Sequence, residues 1–266
     1  MGAEAEFEAL LAEGEAVPVA GWDFSWFEGR ATEERPSWGY SRLAAERIAA
    51  ADSVLDIQTG GGEVFAGALA AAHAQSGRLP STVWATEGYP PNCALARERL
   101  ELFRGDVVLV DESAPLPFAS ERFDLVLSRH PVSTDWADVA RVLRGGGTYL
   151  SQQVAAGSNR ELYEFLLGPQ PGDENTSRSL ENLVGGARAA GLRVVDALHE
   201  STKVEFFDVA AVVHFLRKVL WTVPGFTVER YRDRLAAMHA RIQQSGSFVS
   251  HSERALIEAR KPPRIS

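Results

Sequence analysis

A doubly wound α/β fold with a mostly parallel sheet is what this 266-residue sequence predicts, and three observations carry it. From Ser53 onward, short aliphatic runs alternate with segments of helical period. The first of those runs leads directly into three glycines, Gly60, Gly61 and Gly62. Three acidic residues, Asp56, Glu87 and Asp111, each close such a run. Alternation of this kind implies crossover connections and a sheet covered on both faces.

In chain order, the first forty residues join an acidic amphipathic start to a cluster of rings, Trp22, Phe24, Trp26, Phe27, Trp38 and Tyr40. Rings of this size are most often used for packing, the use expected of Trp22 and Trp26, while Trp38 and Tyr40 lie nearer the first strand. Residues 54–58 read as that strand, 63–75 as a helix and 82–87 as a second strand, a βαβ beginning. Pro90 and Pro91 suit the first turn of a helix running toward Phe103, and 106–111 reads as a third strand. A fourth strand over 123–128, a short helix over 136–143 and a fifth strand over 147–154 follow, the last introduced by Gly145 to Gly147.

Beyond the fifth strand come a helix over 160–167, the loop GPQPGDENTS, a helix over 180–190 and a sixth strand over 192–197. A largely helical stretch over 203–244, split at Pro224 and Gly225, precedes a β-rich close over 248–260. The expected division is therefore an aromatic cover over 1–40, a core over 41–202, a helical insertion bordering an acceptor pocket over 203–246, and a last strand with a basic tail over 247–266.

Composition narrows the function. With 45% of residues hydrophobic and 24% charged, the chain has material for a sizeable core. A net charge of −9 disfavours nucleic acid and anionic lipid as partners, because both demand a concentrated basic surface. One cysteine, Cys93, supports neither an intrachain disulfide nor a cysteine-based zinc site, and no HExxH spacing appears, so no metal is expected. The start MGAEAEFEALLAEGEA lacks the basic and apolar regions of a secretory signal, and no run reaches the roughly 18 apolar residues of a membrane span. A cytoplasmic protein is the expectation.

The glycine loop carries the chemistry. Glycines between a strand and a helix let a ligand lie against the backbone, and the free amides of the helix start suit an acceptor group. A phosphate loop would end in Gly-Lys-Ser/Thr and a nicotinamide fingerprint would read G-x-G-x-x-G; neither is present. Glu87 and Asp111 follow at the sheet edge where open α/β folds bind ligands, and two spaced carboxylates suit a ribose diol and an exocyclic amine.

In order, VLDIQTGGGE, ATEGYPP, VDESAPLPFASERFDLVLSRH and RVLRGGGTYL resemble the successive motifs of class I S-adenosylmethionine-dependent methyltransferases, of the small-molecule, type 11-like kind, over about 38–153. The resemblance implies a Rossmann-like methyltransferase fold with a seven-stranded sheet and a helical lid. It also implies S-adenosyl-L-methionine as co-substrate and S-adenosyl-L-homocysteine as product. By it, Asp56 orients the loop near the methionine amino group and Gly60 with Gly62 shapes the bed beneath the methionine. Glu87 accepts from the ribose hydroxyls and Asp111 from the adenine amine, Glu112 offers a backbone amide to the ring, and Ser128 sits where carbonyls hold the methionine ammonium. Trp38 and Tyr40 are cofactor-side candidates. Gln58 departs from the pattern, standing where the first glycine belongs; its amide either contacts the cofactor or is a satisfied structural group.

Methyl transfer from a sulfonium needs alignment, so a dedicated base is optional. A hydroxyl or amide-like acceptor would still profit from one, and His130, in SRHP after the fourth strand, is the leading base or orienting residue; a loop histidine can equally serve the backbone. Arg129 either binds an acidic substrate or makes a structural ion pair. Phe206, Phe207, His214 and Trp221 in the insertion are the remaining acceptor candidates, although His214, beside an apolar helix face, has packing as its plainer explanation.

Metal-independent methylation of oxygen or nitrogen on a small molecule is thus the function expected. The alternatives are a non-catalytic module binding S-adenosylmethionine or S-adenosylhomocysteine, and an RNA methyltransferase suggested by the basic RKPPR run.

Overall fold

A computed structural model describes residues 2–19, 24–170 and 178–263. Trp22 and the latter part of the GPQPGDENTS loop fall outside the described residues.

The chain opens with helix α1 (Ala3–Ala16), a 3-10 turn at Ser25–Phe27 and a short strand β1 (Ala31–Glu33). The alternation then runs α2 (Tyr40–Ala50), β2 (Ser53–Ile57), α3 (Glu63–Ser76), β3 (Thr82–Glu87), α4 (Pro90–Glu101) and β4 (Asp106–Leu109). It continues with β5 (Phe123–Arg129), α5 (Trp136–Val142), β6 (Leu143–Val154), α6 (Arg160–Leu167) and α7 (Leu180–Ala189). Strand β7 (Arg193–Phe206), helices α8 (Val209–Lys218) and α9 (Val228–Ser245), and strand β8 (Phe248–Arg260) complete it.

The sheet has eight strands in the order β1-β7-β8-β6-β5-β2-β3-β4, with β2, β3, β4, β5 and β6 parallel. Seven were expected; the extra one is β1, whose three residues pair antiparallel with the end of β7 and are too few to show a period. The strand expected over 106–111 ends at Leu109, which leaves Asp111 beyond it, and β7 and β6 depart further from their expected bounds. Strand β7 runs to Phe206, well past the six residues read as a strand and into the stretch read as helical. Strand β6 begins at Leu143, because Gly145 to Gly147 form an irregularity within the strand: Phe123 pairs with Leu143, and Leu125 already with Thr148.

Two compact units make up the chain. The larger, over 36–156, 175–200 and 254–266, holds the parallel strands. On one side of it Val54, Leu125 and Leu127 pack with Ile48, Phe65 and Leu100 from α2, α3 and α4. On the other, Leu55, Val126 and Tyr149 pack with Val139 and Leu183 from α5 and α7. The smaller unit, over 1–35, 157–174 and 201–253, has its own core of Phe7, Phe206, Val212, Leu235 and Phe248.

Strand β2 is where the chain reverses its direction of travel across the sheet: β3 and β4 are added on one side, β5 and β6 on the other. That switch point opens a crevice at the carboxyl ends of the strands, the usual ligand position in open α/β sheets.

Candidate cofactor-binding site

Asp56 stands at this crevice, in register with Ala85 on β3 and Leu127 on β5. It is 7% exposed. Burial pushes its carboxyl up to about 7, with Glu87 adding to the effect and Arg129 opposing it.

The glycine loop then makes two left-handed turns, at Gly60 (φ 64°) and Gly62 (φ 83°). Gly62 is needed for closeness, since a Cβ there would lie 3.1 Å from the Ala96 Cα on α4. Gly60 is different: a Cβ there would meet nothing within 4 Å, so the loop leaves open space on that side. Beside it the Thr59 side chain, a hydrogen-bond donor to the Asp56 carboxyl, works against the larger effect of burial there.

Glu87 organises the loop from the end of β3. One carboxylate oxygen accepts from the Gly60 amide at 2.7 Å and the other from the Tyr89 amide at 3.0 Å. Each oxygen keeps a further lone pair. Asp111, exposed beyond β4, accepts from the Ser113 amide at 2.9 Å and from its hydroxyl through one oxygen, and these bonds hold its carboxyl below the ordinary range. Glu112 lines a cleft together with Ile57, Gln58, Ala114, Ser128 and Tyr149.

Gln58 is a clip. Its backbone is left-handed (φ 56°), its side-chain oxygen accepts from the Val132 amide at 2.6 Å, and its side-chain nitrogen donates to the Ser133 carbonyl at 3.1 Å. Both ends of the amide are satisfied by the loop after β5.

Around the end of β5 lies a buried polar layer. The Ser128 hydroxyl is bonded to the Tyr149 hydroxyl at 2.7 Å and donates to Ser151 at 2.9 Å, while the Ser128 carbonyl accepts from the Tyr40 hydroxyl at 3.2 Å. Burial raises both phenols above their ordinary range, and the nearby Asp56 adds to the effect on Tyr40. Gln153 donates to the Thr134 hydroxyl at 3.1 Å. The segment carrying Trp38 and Tyr40 is anchored at Ser37, whose amide and hydroxyl both donate to Glu200.

His130 belongs to the same layer. Trp38 donates its indole N–H to the Gln152 side-chain oxygen at 2.8 Å, and an indole has no other hydrogen-bonding role. The Gln152 nitrogen therefore faces His130 Nε2, 2.9 Å away, and donates to it. With its Nε2 lone pair occupied, neutral His130 carries its proton on Nδ1, an assignment forced by the network. Its main chain is also fixed, left-handed (φ 55°) with the amide donating to the Gln152 carbonyl at 2.7 Å. Burial, then the charges of Arg129 and Arg254, hold the imidazole well below its usual range. Arg129 is exposed at the end of β5.

Sequence reasoning missed Tyr149, Ser151, Gln152, Gln153 and Thr134. The available signal was the run Ser151-Gln152-Gln153, polar residues in a strand that the parallel topology buries.

The remaining candidates lie in the smaller unit. Phe206 is 1% exposed and meets the Phe215 ring at 5.4 Å, so it is core. His214, equally buried, sits 5.0 Å from both Trp26 and Phe27 ring centres. Its Nδ1 has no partner among the described residues, and burial with Lys218 and Arg217 pushes its pKa down to about 4. Trp26 thus packs, as expected, with the Arg30 guanidinium 4.5 Å from its ring centre. Phe207 and Trp221 are exposed. Among the described residues no group of three or more His, Cys, Asp or Glu is placed to hold a metal ion, and no helix is long and apolar enough to cross a membrane.

No family model and no curated protein matches the sequence. Solved structures do match. A provisionally named methyltransferase from Bacillus halodurans C-125 is 20% identical with a TM-score of 0.56, the match covering 84% of this chain and 100% of that one. A provisionally named methyltransferase solved in complex with the Haloferax volcanii Trm112 methyltransferase activator is 20% identical with a TM-score of 0.52, the match covering 100% of both chains. The [4+2]-cyclase SpnF is 19% identical with a TM-score of 0.50 over 97% of this chain and 93% of that one. With the strand order and the glycine loop at the switch point, these likenesses give the chain the fold of class I S-adenosylmethionine-dependent methyltransferases.

Proposed function

We propose that the protein is a cytoplasmic S-adenosylmethionine-dependent methyltransferase acting, without a metal, on oxygen or nitrogen of a small-molecule acceptor. The observation that carries the reading is the Glu87 carboxylate, held by the Gly60 and Tyr89 amides beside open space at Gly60. Glu87 would take the ribose hydroxyls on its spare lone pairs, Asp111 and Glu112 the adenine, and Asp56, Gly60, Gly62 and the Ser128 carbonyl the methionine end. Trp38 and Tyr40 would exclude water from that end. When bound, S-adenosylmethionine supplies an electrophilic methyl group on a sulfonium.

Positioning supplies most of the acceleration in such a displacement. His130 would orient the acceptor, since its Nε2 lone pair is already taken by Gln152. Within the smaller unit Phe206 and His214 are buried, whereas Phe207 and Trp221 are exposed. The likeness to a cyclase shows that the fold alone does not fix the chemistry, so binding and turnover must both be measured.

Calorimetric titration of S-adenosylmethionine and S-adenosylhomocysteine into wild type, Glu87→Ala and Glu87→Gln tests the reading. Micromolar binding to wild type, weakened in Glu87→Ala by about 1.5 to 3 kcal/mol, is expected from hydrogen bonds to a charged group. A folded wild type that binds neither ligand would eliminate the proposal. Binding without turnover on a broad acceptor library would leave a binding module, and methyl incorporation into RNA would move the acceptor to nucleic acid.

A further inference from the structure

We infer that Gln58 is a latch across the methionine end of the cofactor crevice, which a ligand carrying that end has to open in order to bind; this deepens, and rests on, the S-adenosylmethionine reading above. Three features of one short stretch of chain carry it.

The first is position. Gln58 follows Ile57, the last residue of β2, and Ile57 is paired with Ser128 near the end of β5. The loop after β5 brings Val132 and Ser133 within reach: the Gln58 side-chain oxygen accepts from the Val132 amide at 2.6 Å, and its nitrogen donates to the Ser133 carbonyl at 3.1 Å. The side chain therefore ties together the segments that leave the carboxyl ends of β2 and β5. A ligand of an open α/β sheet lies across those ends at the switch point. Asp56 and Ser128, to which the reading above gives the methionine, stand on the two strands that lead into this tie.

The second is a contrast within the glycine loop. At Gly60, two residues on, a Cβ would meet nothing within 4 Å. The loop is open there beside Glu87, which the reading gives to the ribose, and spanned at Gln58. The two ends of one ligand thus meet different conditions.

The third is conformation. Gln58 has φ 56°, which a residue with a side chain adopts at a cost and glycine adopts freely. Glycine would make the turn better, so what the position gains from glutamine is the amide. Strain of this kind persists where contacts over-determine it, and the two bonds of the tie are among those contacts. The loop after β5 has other anchors, since Arg178 donates to the Val132 carbonyl at 3.1 Å and Gln153 to the Thr134 hydroxyl at 3.1 Å. Opening the latch therefore swings one side chain and leaves the loop held.

Binding of the full ligand exchanges two internal hydrogen bonds for contacts to the ligand. The observed affinity is the intrinsic one, reduced by the fraction of molecules whose latch is open. A ligand that stops at the nucleoside escapes this cost.

The experiment titrates S-adenosylhomocysteine and 5′-methylthioadenosine, which keeps the nucleoside and sulfur but lacks the amino-acid end, into full-length wild type, Gln58→Ala and Gln58→Gly. Both variants should bind S-adenosylhomocysteine about tenfold tighter than wild type, while 5′-methylthioadenosine should bind all three within about twofold. A second measurement needs no variant: in wild type the Val132 amide should exchange faster when S-adenosylhomocysteine is bound, because it loses its acceptor, and at an unchanged rate with 5′-methylthioadenosine. Equal or weaker binding of S-adenosylhomocysteine to Gln58→Ala, an equal gain for both ligands, or slower Val132 exchange in the complex overturns the latch and leaves the methyltransferase reading standing. If S-adenosylhomocysteine binds neither folded wild type nor folded Gln58→Ala, that reading falls and the latch falls with it.

Discussion

The imidazoles of half-buried His130 and buried His214 are both pushed below their usual range, yet their surroundings differ in kind. His130 lies in a layer whose buried polar atoms are joined: Trp38, Gln152, Ser128, Tyr149, Ser151 and Tyr40 all have partners. His214 lies among Trp26 and Phe27 with its Nδ1 unpaired. Buried polar groups that are fully connected fix a geometry, whereas a ring that merely packs fixes a volume. The first arrangement can orient a ligand; the second supports a core.

Four substitutions would break or sharpen that contrast, the largest expected effect first. Asp56 has a carboxyl raised from 3.8 to about 7 in the folded protein, so the folded state holds its proton where the unfolded chain has released it. Stability therefore falls as pH rises from about 4 to 7, by roughly 1.4 kcal/mol per pH unit and about 4 kcal/mol in all. Urea titrations of wild type and Asp56→Asn over this range should show that slope only in wild type; parallel profiles would mean that Asp56 ionises normally.

Trp38→Phe comes next. It keeps the ring but strips the donor from a buried amide, which should lower stability by about 1 to 3 kcal/mol and free Gln152 to rotate. Unchanged thermal stability together with an unchanged His130 tautomer would show that the relay orders nothing. Gln58→Gly trades two hydrogen bonds for relief of a left-handed side-chain-bearing residue, so its net effect should stay within about 1 kcal/mol. Amide exchange at Val132, Ser133 and Thr134 should nevertheless quicken, because the clip holds that loop. His214→Phe should be the mildest, within about 1 kcal/mol, as the replaced nitrogen has no partner to lose. A loss of several kcal/mol there would place His214 with His130 after all.

Much of the fold was legible because it rests on local signals. Thr82–Glu87, Arg160–Leu167 and Phe248–Arg260 fall where period and turn residues put them, and three glycines between a strand and a helix announce a loop whatever packs above it. Gln58 shows the limit: the sequence marks it as a departure, but only the position of Val132 and Ser133 decides that its amide is occupied.

The same division holds for the whole chain. By itself the sequence determined the α/β alternation, the glycine turn and the acidic strand ends, since hydrophobic period and backbone freedom act between neighbours. Tertiary structure alone decided the eighth strand, the burial of Ser151, Gln152 and Gln153, and the proton position on His130. The first depends on what β1 meets at the end of β7, the others on which residues from β5, β6 and the Trp38 segment come together, and a hydrogen bond between residues 114 apart leaves no trace in the spacing of either.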